Sequence, residues 1–132
     1  MNPLRLKLLK WWLIECSQTG AFHGRTLGTL ATTHTKWVHK MDIPTMDWPI
    51  AEFPRYKYPL EDHVRENEAE DRRCLAYVEE QIEKYNKRGK FVAGIVVEPI
   101  QSEGGDHHGS PFFFQQLQKI SKKVGIIAVN GP

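Results

Sequence analysis

Two cysteines, Cys16 and Cys74, are all that the 132 residues hold, far apart and without a C-x-x-C spacing. Neither a disulfide framework nor a zinc site is indicated. No hydrophobic run approaches the roughly eighteen residues of a membrane-spanning helix. Charge of either sign is not in surplus: a net charge of +2, with acids and bases interspersed, supplies no field that would select nucleic acid or an acidic membrane surface. Repeats and low-complexity tracts are missing as well. What is present is 40% hydrophobic, 26% charged and 11% aromatic, which excludes a disordered tail and a collagen-like repeat and reads as soluble and globular. A chain of this length suits one domain with a core of its own, in which Cys74 reads as a small core residue.

The texture changes along the chain. Met1 to Ile14 is a basic, partly amphipathic leader, with Arg5, Lys7 and Lys10 among leucines and tryptophans and no acid before Glu15. It imitates a mitochondrial transit peptide, although it is poor in serine. Gly20 to Leu30 is rich in glycine and threonine and reads as a turn leading into a short helix or strand. From Ile43 to Pro59, four prolines among Trp48, Phe53, Tyr56 and Tyr58 rule out regular helix and describe an extended, aromatic-anchored excursion across a surface. From about Asn67 to Arg88, Cys74, Val78, Ile82 and Tyr85 recur at helical spacing, with Asn67 as a candidate cap and Gly89 past the basic end. Phe91 to Val97 is a short apolar run suited to a buried parallel strand. Pro111 fits a first helical turn, with Asp106 or Ser110 as cap and Phe113, Phe114, Leu117, Ile120 and Val124 as the apolar face. Gly125 closes that helix, and Ile126 to Val129 starts another strand. Helix, buried strand, polar turn, helix, buried strand predicts an α/β fold with a parallel-rich sheet and crossover helices.

In such sheets ligands sit beyond the carboxyl ends of the strands, which directs attention to Glu98, Gln101, Ser102, Glu103 and Asp106. Two segments can carry chemistry. Gly20-Ala-Phe-His-Gly-Arg-Thr26 places an aromatic face, an imidazole and a guanidinium beside glycines that permit close approach of a flat ligand. A guanidinium can grip a carboxylate through paired hydrogen bonds. Read alone, the segment fits equally a core phenylalanine, a satisfied histidine and a surface ion pair. Val97-Glu-Pro-Ile-Gln-Ser-Glu-Gly-Gly-Asp106 sets Glu98 and Glu103 at a strand end, where paired acids could move protons, bind a metal or hold an arginine, or only form a capped polar turn. Adjacent His107 and His108, with Asp106 and His34 or His39, admit a metal reading, but no recognised ligand spacing supports it.

These two segments, in this order, resemble the class III, fold-type I aminotransferases that use pyridoxal phosphate. The stretch His39 to Leu60, with its proline pattern, is similar to the branch of that family that acts on 4-aminobutyrate in animal mitochondria. The resemblance covers about 20–125 and implies part of the large cofactor-binding domain, with 1–19 and 126–132 left as an unmatched leader and tail. It implies that Phe22 stacks on the cofactor ring, that His23 lies nearby and that Gly24 permits close approach. Glu98 would order the polar network around the cofactor. Arg25 would bind the carboxylate of 4-aminobutyrate, and Glu103 would pair with a second arginine from elsewhere in the complete enzyme. Release of that arginine would let one pocket also take glutamate, the product of 2-oxoglutarate. The complete enzyme would be a homodimer of the mitochondrial matrix.

The edges depart from the family pattern. Ile14 to Thr19 does not match the strand that leads into the first motif. The aspartate expected after the equivalent of Gly125 falls near Gly131. None of the lysines, Lys36 and Lys90 included, stands in the context of the cofactor-anchoring lysine, so no catalytic residue is assigned. The expectation is an internal fragment that is inactive alone. The alternatives are another ω-aminotransferase, acting on an ornithine derivative or β-alanine, and a catalytically dead fragment that docks on an intact subunit.

Overall fold

The computed structural model describes residues 20–125 in full and the backbone at 11–12, 17–18 and 127–130. Two short strands, β1 (Trp11–Trp12) and β2 (Ser17–Gln18), come first. The glycine- and threonine-rich stretch then gives an extended segment followed by a short helix, α1 (Leu27–Thr32). A 3-10 turn, Trp37–Lys40, leads into the proline excursion, which is regular only at β3 (Ile50–Ala51). The excursion is anchored more deeply than a surface path requires: Ala51 and Phe53 are each 1% exposed. The Phe53 ring meets Phe113 edge to face, with centroids 5.7 Å apart.

The longest element, α2 (Val64–Lys87), buries Cys74, Val78, Ile82 and Tyr85, the stripe expected from the spacing, and Leu75 beside it. Its cap position, His63, lies four residues before the one that the cap signal suggests, after a 3-10 turn at Leu60–His63. Asn67 does not cap it. Its amide instead bridges the main chain of Lys57, accepting from the Lys57 amide at 2.9 Å and donating to its carbonyl at 3.0 Å. Gly89, at φ +75°, follows the basic end as expected. Cys74 is fully buried, and burial, with Glu70 nearby, pushes its thiol up to about 12.

The apolar run after Gly89 divides into β4 (Phe91–Val92) and β5 (Gly94–Val97). An unexpected antiparallel pair follows, β6 (Ile100–Gln101) with β7 (His107–His108). Helix α3 (Pro111–Lys123) has Pro111 in its first turn, and Ser110 Oγ caps it by accepting from Phe113 N at 2.9 Å. Asp106 has no capping role; it occupies a left-handed position, φ 55°, in the turn before β7. Strand β8 (Ile127–Asn130) closes the described residues. The strand expected from Ile126 is described over Ile127–Asn130, while Ile126, Gly131, Cys16 and Met1 to Lys10 lie outside the described residues.

Pairing of β1 with β4, β2 with β3 and β5 with β8 is parallel in each case. The last is a β-α-β unit with α3 as its crossover, in the register Gly94↔Ile127 to Val97↔Asn130. The core forms where α2 and α3 cover these strands, joining Val78 and Ile82 to Val92, Ile95 and Val97 and to Phe113, Leu117 and Ile120. Among the described residues no helix is long and apolar enough to cross a membrane.

Candidate functional site

The β5 strand ends in the core at Val97, so the next residue, Glu98, is delivered buried, at 4% exposure. A buried carboxylate needs donors, and one comes from the other motif: Phe22 N donates to Glu98 Oε2 at 3.0 Å across 76 residues of sequence. The second contact is main chain against main chain. A side chain added at Gly104 would place its Cβ 2.2 Å from the carbonyl oxygen of Gly20, so only glycine fits there. The two segments singled out in the sequence are therefore joined at the carboxyl edge of β5.

The extended segment from Gly20 is held on its other side by the residues after α1. Gly20 N donates to His34 O at 3.1 Å and His34 N to Ala21 O at 2.8 Å. His23 N donates to Thr33 Oγ1 at 3.0 Å. Gly24 has φ +111°, a conformation that L side chains rarely adopt. The side chains divide by burial: His23 is 8% exposed, Phe22 is half-buried and Arg25 is exposed. The Phe22 ring meets His39 edge-on, with centroids 5.7 Å apart, and His39 Nδ1 is hydrogen-bonded to Thr35 Oγ1 at 2.8 Å. Among the described residues no carboxylate pairs with Arg25, which leaves its guanidinium open to an incoming one.

Glu103 occupies the turn between β6 and β7, where Gly105 N returns to Ser102 O at 3.1 Å. Its one ion pair among the described residues is with Lys36, at 3.8 Å, with the two side chains 55% and 59% exposed. Such a pair contributes little and is readily exchanged for a better one. His107 and His108 alternate on β7, and among the described residues no group of three or more His, Cys, Asp or Glu comes together as a metal site would require.

Several participants carry no signal in the sequence. Thr33 and Gly104 are a single threonine in a threonine-rich stretch and one of two adjacent glycines. His34 enters the sequence reading only as an assisting metal ligand; in the fold, burial first, then the charge of Lys40, lower its pKa from 6.5 to about 4. The Lys40 ammonium donates to His34 Nδ1 at 3.1 Å and to Ala31 O at 3.1 Å. The fold thus selects the neutral ring. Its contribution to stability is complete above pH 6.5 and is lost as pH falls through about 4. Urea midpoints at pH 7.5 and 4.0 are expected to differ less in His34→Gln than in the parent chain; equal differences would refute this source of acid sensitivity.

A cavity of 640 Å³ lies elsewhere, lined by Tyr56, Tyr58, Leu60, Val64, Asp71 and Phe112 among others, and includes none of the motif residues.

Residues 13–130 match the family described as aminotransferase class-III. The chain is 65% identical over 106 residues to the mitochondrial 4-aminobutyrate aminotransferase of Sus scrofa, covering 80% of this chain and 21% of that protein. It is 56% identical over 110 residues to the probable mitochondrial 4-aminobutyrate aminotransferase of Caenorhabditis elegans, covering 83% and 23%. The chain therefore spans between a fifth and a quarter of the length of these curated relatives. Among solved structures, the lysine aminotransferase from M. tuberculosis matches with a TM-score of 0.76 at 29% identity, over 89% of this chain and 26% of that one. An amine transaminase from an uncultivated Pseudomonas species matches with a TM-score of 0.78 at 18% identity, over 96% and 28%, a likeness of fold alone.

Proposed function

The chain belongs to the class-III aminotransferase family, whose members are pyridoxal-phosphate-dependent transferases, and from that premise we propose that it forms the substrate-facing part of a 4-aminobutyrate:2-oxoglutarate aminotransferase. The observation that supports this reading best is the junction of the two motifs. It sets an uncommitted guanidinium, Arg25, and a loosely held carboxylate, Glu103, on touching loops at the carboxyl edge of a parallel strand.

The residues present fit one side of a bound pyridoxal phosphate. Phe22, held at its edge by His39, offers a ring face for a flat heterocycle. Glu98 keeps that face in place through the Phe22 amide, and His23 and Gly24 form the turn beneath it. When bound, the cofactor supplies the electron sink that lets an amino group pass between substrates. Arg25 grips the carboxylate of 4-aminobutyrate and so fixes the distance from carboxylate to amino group. Glu103 pairs with a second arginine in the complete protein, and its exchange of partners makes room for the extra carboxylate of glutamate. The complete protein acts as a homodimer in the mitochondrial matrix, where residues 20–125 contribute part of its large domain. No lysine of the chain is given the covalent role. Borohydride treatment of the chain mixed with cofactor is therefore expected to leave no stoichiometric label, and labelling of a single lysine would refute that.

The substrate assignment is tested by titrating 4-aminobutyrate into the isotopically labelled chain while following the Arg25 Nε–H signal, with n-butylamine as the control that lacks a carboxylate. Saturable shifts are expected with the first compound only. Arg25→Lys loses the paired geometry and is expected to weaken binding about tenfold or more. Identical titrations in the parent and variant chains would remove Arg25 from the site. The exposure of Trp37, Val38 and Met41 at 77%, 50% and 53% favours a second reading, in which the chain packs on an intact subunit. Co-purification with the full-length enzyme and a change in its activity would discriminate.

A further inference from the structure

The amides that lead to Arg25 are held from two sides. Phe22 N is held by Glu98, and the next amide, His23 N, by the hydroxyl of Thr33. The same Thr33 oxygen lies 2.9 Å from the carbonyl oxygen of Gly24 and 3.0 Å from that of Thr29, so its single proton serves those two acceptors. Thr33 is 1% exposed, just past the end of α1. A hydroxyl suits this point because one atom must accept from the first peptide group and donate to the second.

Gly24, between those groups, is the residue least able to hold a direction by itself. At φ +111° it has no Cβ to restrict it, and the backbone could leave it along several paths. The main-chain bonds of this segment to His34 stop at Ala21. From Phe22 onward, Glu98 holds one residue of the path to Arg25 and Thr33 holds the next two.

We infer that Thr33 is a positioning residue for the carboxylate site: its hydroxyl fixes the peptide group before His23 and the one after Gly24, and thereby aims Arg25 at the substrate. This rests on the carboxylate reading of Arg25 given above. Thr33 touches no substrate and acts through the direction of the chain. The methyl group has a separate role in packing, so the hydroxyl and the methyl can be tested apart.

Three forms of the full chain separate these roles: the parent, Thr33→Val, which keeps the shape and loses the hydroxyl, and Thr33→Ser, which keeps the hydroxyl and loses the methyl. Two quantities are read, amide hydrogen exchange at Phe22 and His23 and the affinity for 4-aminobutyrate from the Arg25 Nε–H titration. Thr33→Val is expected to speed exchange at His23 about tenfold while Phe22 changes less than about twofold, and to weaken 4-aminobutyrate about fivefold to tenfold. Thr33→Ser is expected to stay within about twofold of the parent in both. Parent-like affinity in Thr33→Val, or an equal loss in both variants, would overturn the inference. If Thr33→Val loses its cooperative melt, Thr33→Ser decides: parent-like affinity supports the hydroxyl and a tenfold loss refutes it. A parent chain that shows no saturable binding removes the carboxylate reading itself, and Thr33's role with it. That outcome is distinct from one in which the parent binds and the hydroxyl proves irrelevant.

Discussion

Gly104→Ala is expected to cost about 3 kcal/mol and to lower the melting temperature by roughly 10 °C. The new Cβ would lie 2.2 Å from Gly20 O, 2.8 Å from Gly20 C and 2.9 Å from Gly20 Cα. All three are backbone atoms, so no side chain can rotate away. Relief requires the two motif loops to part, which loosens the Glu98 contact to Phe22 and shifts Glu103 away from its place beside the arginine loop. Gly28→Ala is the control. Nothing lies within 4 Å of its added carbon, and it sits within α1, so the substitution should be neutral or slightly stabilising. Thermal melts of the two variants beside the parent make the comparison, and equal melting temperatures would mean that the motif junction is not a tight contact in solution.

Asp71→Ala is expected to be nearly as damaging, at about 2 to 4 kcal/mol, by a different route. Asp71 is 3% exposed within α2 and accepts from two hydroxyls, those of Tyr56 and Ser110, the latter at 2.6 Å. Tyr56 OH in turn accepts from Ser110 N at 2.8 Å, and Ser110 Oγ accepts from Phe113 N at 2.9 Å. The carboxylate thus ties the proline excursion, α2 and the first turn of α3 into one closed set of bonds. Burial, reinforced by Asp71, raises the Tyr56 phenol well above its usual range, so the neutral hydroxyl is retained into alkaline solution. Removal of Asp71 leaves two hydroxyls without their acceptor. Asp71→Asn keeps one acceptor and should lose about half as much. Urea denaturation of the two variants sets the order, and equal losses would show that shape, not hydrogen bonding, governs the position.

Much of this arrangement follows from periodicity in the sequence. The stripe of α2, the β5 run and the proline at the start of α3 rest on local patterns that packing reinforces. The motif junction is also legible in part, because a resemblance links segments that periodicity treats as unrelated. Elsewhere the local signal points the wrong way. Asn67 has the chemistry of a cap, but the nearby main chain of Lys57 takes both ends of its amide. The β6 and β7 strands are two residues each, too short for any alternation to mark them. Asp71 stands in a run of charges that reads as solvated surface, and only the arrival of Tyr56 and Ser110 from distant parts of the chain makes it interior. Thr33 is hidden for the same reason: its partners are peptide groups, which no sequence distinguishes.

The two bonds that fix the arginine loop differ in span. The link from His23 to Thr33 closes ten residues, and that from Phe22 to Glu98 closes 76. The short closure is a local event that needs only α1 and its exit. The long one has to overcome a greater loss of chain entropy and is favourable only once β5 has been placed by α2. During synthesis the loop can thus take its own shape well before it has a strand end to sit on, and its docking belongs among the last steps of folding.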